Sequence, residues 1–151
     1  MSFKINQENL YRYLDEQKLN PNIQKETGTL YVVLNISGIE IPVFFGIPSN
    51  GALIQTIAYL PYQLQKNSLS EIARLFHKLN KEIDMPGFGM DEVDQLMFYR
   101  LVIPCLDHTV EGKLVKTCVE TTRVVCDMFL NAIAMILSGE ASIDNVLKEK
   151  K

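Results

Sequence analysis

The sequence LYVVLNISGIEIPVFF, running from Leu30 to Phe45, decides the fold. Two runs rich in β-branched and aromatic residues flank Ser37-Gly38, and a two-residue spacer between such runs predicts a tight β-hairpin. In that register Ile36 faces Ile39, Leu34 faces Ile41, Val32 faces Val43 and Leu30 faces Phe45. Cross-strand partners share a face, so these eight apolar residues line one side of the sheet, the side that helices must cover. The other side carries Tyr31, Val33, Asn35, Glu40, Pro42 and Phe44.

A third run, Ala52–Leu60, follows the turn cluster Pro48-Ser49-Asn50-Gly51. With Ile47 opposite Ala52, Gln55, Ile57 and Tyr59 join the outer face. A solvent-washed face should be mostly polar. This one gathers Tyr31, Val33, Pro42, Phe44, Ile57 and Tyr59, which makes those six the candidate partner-binding residues. The competing expectation is that the chain's own long or terminal helix, or a second subunit, covers them. Pro42 adds a constraint: its polar groups point away from the first hairpin strand, and it has no N–H to give the strand on its other side. A break or bulge is expected there.

Outward from the hairpin, Asn6 is a candidate N-cap with Ile5 and Leu10 as a hydrophobic staple, opening a helix that runs to about Lys18 before Asn20-Pro21. Ser68-Leu69-Ser70-Glu71 reads as a capping box for a second helix, with Leu69, Ile72, Leu75, Phe76, Leu79 and Ile83 at helical spacing and Pro86-Gly87 as its stop. Phe88–Asp91 and Leu96–Ile103 form a second hairpin through Glu92-Val93-Asp94. A long helix then begins near Thr109–Lys113 and ends at Gly139, and Ser142 caps a short terminal helix. The predicted order is α-βββ-α-ββ-α, in a single domain spanning 1–151.

The long helix is unusual. Lys116, Glu120, Arg123, Asp127 and Asn131 recur at steps of four, three, four and four, so its polar residues form one narrow stripe. Most other positions are apolar, well beyond the roughly 100° stripe of a surface helix. Such a helix must be covered on more than one side, by its own sheet and then by a third element or another subunit. Val119, Cys126, Leu130 and Leu137 are the expected dimer interface of a homodimer.

Composition sets the remaining bounds. A 151-residue chain with 47% hydrophobic residues, net charge −3 and a pI near 5.4 suits a soluble, cytoplasmic protein. Nucleic-acid binding needs clustered Lys and Arg, and the densest basic cluster is only Lys148, Lys150 and Lys151. Membrane insertion is not expected, because each charge of the long helix would cost about 2.5–3.5 kcal/mol near a bilayer centre. Cys105, Cys118 and Cys126 are odd in number and none sits in a CxxC spacing, which points to reduced, buried thiols. Cys105 and His108 are three residues apart, but neighbours in a strand-to-helix loop rarely form a nucleophile–base pair. Asp91, Glu92 and Asp94 fit a solvated turn better than a metal site. Gly87-Phe88-Gly89 follows a helix and precedes a strand, the reverse of a phosphate cradle. The expectation is no enzyme, no metal and no cofactor.

The order of elements, with Leu79-Asn80-Lys81-Glu82-Ile83, Gly87-Phe88, Phe98-Tyr99-Arg100-Leu101 and Ile136-Leu137-Ser138-Gly139, resembles the YbjN family and the wider type III secretion chaperone-like fold. The resemblance implies an α+β fold, an antiparallel twisted sheet with helices packed on one face, in a small, acidic, non-catalytic and usually dimeric protein. Secretion chaperones of this fold hold an extended effector segment against apolar patches, partly by strand addition, and YbjN-like proteins are associated with regulation. The expected function is therefore a homodimeric module that captures a protein segment, as a chaperone or regulator. The alternative is a small-molecule-binding sensory domain whose aromatic patch forms a pocket.

Overall fold

A computed structural model describes residues 1–149 of the chain; the basic cluster Lys148, Lys150 and Lys151 lies outside the described side chains. The elements are β1 (Ser2–Lys4), α1 (Gln7–Glu16), β2 (Asn22–Ile23), β3 (Leu30–Ile36), β4 (Ile39–Gly46), β5 (Leu53–Tyr59), α2 (Leu69–Glu82), β6 (Phe88–Asp91), β7 (Leu96–Pro104), β8 (Thr109–Glu111), α3 (Gly112–Leu137) and α4 (Ile143–Glu149). Six strands form an antiparallel sheet in the order β2-β3-β4-β5-β7-β6, and β1 pairs with β8 beside it. The α+β architecture with an antiparallel sheet is as the sequence predicts.

The first hairpin has the predicted register at every position from Leu30↔Phe45 to Ile36↔Ile39. Ser37 and Gly38 both take positive φ, 53° and 82°, as a turn that follows the right-handed strand twist requires. The Asn35 side chain accepts the Gly38 N–H at 3.0 Å. The β4–β5 register differs from expectation by two residues: Phe44 faces Ile57 and Gly46 faces Gln55. The wider connection holds a turn closed by the Gly51 N–H on the Pro48 carbonyl, with Gly51 at φ +62°. A slip of two keeps every side chain on its predicted face. The β4–β5 ladder stops at Val43↔Ala58, one residue short of Pro42, which is the predicted break.

Helices cover only the inner face. Leu30, Val32, Leu34, Ile36, Ile41, Val43, Phe45, Ile54, Ala58, Tyr99 and Leu101 are all buried there. α3 lies against β3, β5 and β7, α2 lies against β6, and α4 packs on α2. Neither the long helix nor the terminal one folds over the outer face. Phe88 stacks on Phe76 at 5.0 Å and meets Phe129 edge-on at 6.0 Å, tying β6 to α2 and α3. Asn80 anchors the same corner. Its carbonyl accepts the N–H groups of Gly87 and Phe88, and its amide donates to the Phe88 carbonyl.

Several expectations are corrected. Val119, Cys126 and Leu130 are 0%, 1% and 5% exposed inside the protomer's own core, and Leu137 is partly buried against it. Val119, Cys126 and Leu130 offer no surface to a second subunit: the sheet, α2 and the β8 segment together occupy the wide apolar arc of α3. The capping box at Ser68 does not form. Ser68 follows a 3-10 turn over Lys66–Ser68, and its hydroxyl bonds Asn67 instead. The long helix begins at Gly112, inside the expected Thr109–Lys113, with the unforeseen strand β8 over Thr109–Glu111 before it, and Ile83 is the C-cap of α2.

Gly87 is a close approach that only glycine permits, since a Cβ there would sit 2.0 Å from the Arg100 carbonyl oxygen. Gly87→Ala is expected to displace β6 from β7 and destabilise the fold by about 2 kcal/mol or more. An unchanged denaturant midpoint would refute the placement.

Candidate functional site

The outer face of the sheet is the candidate site. A row crosses four strands: Tyr31 on β3, Phe44 on β4, Ile57 on β5 and Arg100 on β7 are successive cross-strand partners. Val33 and Pro42 pair in the next row toward the hairpin tip, and Tyr59 pairs with Phe98. The Tyr31 and Phe44 rings lie 5.2 Å apart, and Tyr59 meets Phe44 nearly edge-on at 5.7 Å. All six sequence-predicted residues therefore share one face. Val33 is 42% exposed and the other five are half-buried by their neighbours on the sheet.

The face is recessed. An open depression of about 480 Å³ is lined by Phe44, Gly46, Gln55, Ile57, Tyr59 and Leu96, and rimmed by Gln24, Thr27 and Thr29 from the β2–β3 loop. That loop is held by the Gly28 N–H on the Gln24 carbonyl and the Thr27 hydroxyl on the Gln24 side chain, 2.7 and 2.8 Å. The depression thus has an apolar centre and a rim of hydroxyl and amide groups.

Sequence reasoning missed the β7 contribution. Leu96, Phe98, Arg100 and Val102 alternate with the buried Met97, Tyr99, Leu101 and Ile103, and that alternation was the available signal. It needed the β5–β7 pairing, which joins strands separated by all of α2. Gly89 belongs here too, because its missing Cβ makes room for the Phe98 ring.

The other candidate groups are placed elsewhere. The Cys105 thiol is buried and donates to the Ile103 carbonyl at 3.5 Å, and burial pushes it up from its ordinary pKa, partly opposed by a backbone hydrogen bond from Ile54. A reactive thiol needs the opposite shift. His108, at φ +59°, lies over Gly51, and no Cys105–His108 hydrogen bond forms among the described residues. The Asp91 carboxylate accepts the N–H groups of Val93 and Asp94, holding the turn. Among the described residues, no three His, Cys, Asp or Glu side chains come together, and no helix is long and apolar enough to cross a membrane.

These features define a helix-backed sheet with one bare aromatic face. The YbjN family model, described as "Putative bacterial sensory transduction regulator", matches residues 6–135, and the chain belongs to this family. A solved structure with a similar fold, "Crystal structure of YbjN, a putative transcription regulator from E. coli", superposes with a TM-score of 0.64 over 86% of this chain and 92% of that one, at 11% identity. No curated protein matches the chain significantly.

Burial holds the Cys126 thiol and the Tyr99 phenol up at about 12 each, and nearby Cys126 and Cys118 reinforce the shift at Tyr99. Both groups keep their protons in the folded chain after the unfolded chain has begun to lose them. Their stabilisation is complete below the unfolded values and disappears as pH rises through the folded ones. Stability should fall progressively from about pH 9 to pH 12, and Cys126→Ala with Tyr99→Phe should flatten that fall in guanidinium titrations. An equally steep fall in the double variant would contradict the burial.

Proposed function

We propose that the protein is a non-catalytic regulatory module, working as a homodimer, that captures an extended protein segment across the outer face of its sheet. The recessed aromatic row Tyr31–Phe44–Tyr59 carries this reading: it is left uncovered by the protein's own helices. Monomeric proteins rarely leave a contiguous apolar patch exposed without a use for it. Regulation is the role named in the family's description. An effector segment of the kind held by secretion chaperones has the same chemistry as a regulatory partner's apolar segment.

One observation favours a second reading. The depression's volume, about 480 Å³, falls within the roughly 300–1,000 Å³ range of small-molecule sites. A sensory domain taking a flat apolar ligand would use the same aromatic row.

The test compares the wild-type chain with Phe44→Ser/Tyr59→Ser, each tagged, co-purified and weighed under native conditions. A retained polypeptide should appear with the wild type and disappear with the variant. The fold should survive, because both side chains are only half-buried on the outer face and lie outside the inner-face core. Affinity should fall at least about tenfold, since a fully buried large apolar side chain contributes about 1.5–3 kcal/mol. A small-molecule mass increment would favour the second reading, and a polypeptide held equally by both chains would remove the face as the site.

A further inference from the structure

On the side of the protein away from the aromatic face, α3 turns an unpartnered stripe outward. Leu114, Val124 and Met128 are 51%, 55% and 47% exposed, with Thr117 and Thr121 between them. Positions 114, 117, 121, 124 and 128 alternate steps of three and four. That seven-residue repeat is the period at which one helix keeps a seam against another helix. A groove of about 540 Å³ follows the stripe, bordered by Lys113, Lys116 and Glu120. The charges beside it are ordered, with Lys113 and Lys116 toward the N-terminal end, Glu120 and Arg123 in the middle, and Asp127 toward the C-terminal end.

We infer that this stripe joins two copies of the chain, α3 lying antiparallel to the partner's α3 with the two-fold axis at Thr121. Charge order selects both the occupant and its direction. About that axis Leu114 meets the partner's Met128, and Thr117 lies near the partner's Val124. Lys116 falls opposite the partner's Asp127, and Glu120 opposite the partner's Arg123. A parallel mate would carry the two charged rows to opposite sides of the seam, where they do not meet, so the pairing is made only by an antiparallel mate. Glu120 and Arg123 already approach within 3.6 Å in one helix, so a second copy closes them into a ring of four alternating charges. Arg123 is also steadied by the Asn35 carbonyl, and Asp127 by the Ser37 hydroxyl, both at 3.2 Å. Small threonines at the axis let the two backbones approach closely.

This inference rests on the homodimeric half of the proposed function and is independent of segment capture, because the two surfaces lie on opposite sides of the sheet. Sedimentation of the full chain at micromolar concentration should give a dimer. Val124→Glu, at an exposed position, should leave the protomer folded and weaken the dimer at least about tenfold, or about 1.4 kcal/mol. Glu120→Arg should weaken it similarly, and adding Arg123→Glu should restore it. Thr121→Cys should form an intermolecular disulfide under mild oxidation while the native cysteines stay buried. Asn131→Cys should not, since antiparallel helices hold its two copies roughly 30 Å apart. A dimer indifferent to Val124→Glu, or equal crosslinking at both positions, would overturn this interface and leave dimerisation itself standing. A monomer would overturn both.

Discussion

The constraint on which the structure depends is the parity of the β3–β4–β5 ladders. Side chains alternate across a strand, so one choice of register at Ser37-Gly38 sends Leu30, Val32, Leu34, Ile41, Val43 and Phe45 inward together. A slip of one residue would exchange the two faces wholesale, burying Glu40 and Asn35 and wetting the core. The turn prevents this, because its two positive-φ residues allow only the two-residue loop. Parity also explains why the β4–β5 register could move by two without consequence for either face.

Given that sheet, α3 answers a covering problem. Its apolar arc is wide because it seals the sheet across β3, β5 and β7 while also meeting α2. What remains outside is the charged row with Leu114, Val124 and Met128 beside it. The protein thus has two unsatisfied surfaces of different character: a recessed aromatic face on bare strands, and a narrow helical seam ordered by charge. Two surfaces on opposite sides of one rigid sheet can serve two associations without competing.

The parts legible in the sequence share a physical basis: they are local. The hairpins, the boundaries of α1, α2 and α3 to within a few residues, and the Pro42 break all follow from neighbours in the chain. The cap at Asn6 is the same kind of feature, accepting the Asn9 N–H at 2.7 Å. Illegible were the pairings made at a distance. β1 and β8 are three residues each, too short for any period, and join Ser2 to Glu111 across nearly the whole chain. The β7 half of the candidate site waited on the β5–β7 ladder for the same reason. The interface residues named for α3 failed differently. Hydrophobicity marked Val119, Cys126 and Leu130 as needing cover without saying that the chain supplies it. Ser68 had the right motif, but the 3-10 turn before it bends the backbone away from the extended conformation a capping residue adopts.

An aromatic face left open on a β-sheet carries a hazard: sheets can stack or extend edge to edge into aggregates. The edges of this one are poorly suited to growth. β6 offers four residues, begins beside a glycine pressed against Arg100 and carries another beneath Phe98. At the other edge β2 pairs with Leu30 and Tyr31 of β3, and Arg123 of α3 takes up the Asn35 carbonyl beyond them. The short β6 edge gives an incoming strand few hydrogen bonds to start from, and the α3 side chain occupies part of the β3 edge. The molecule can therefore display a sticky surface in a crowded solution while limiting the template on which fibrils grow.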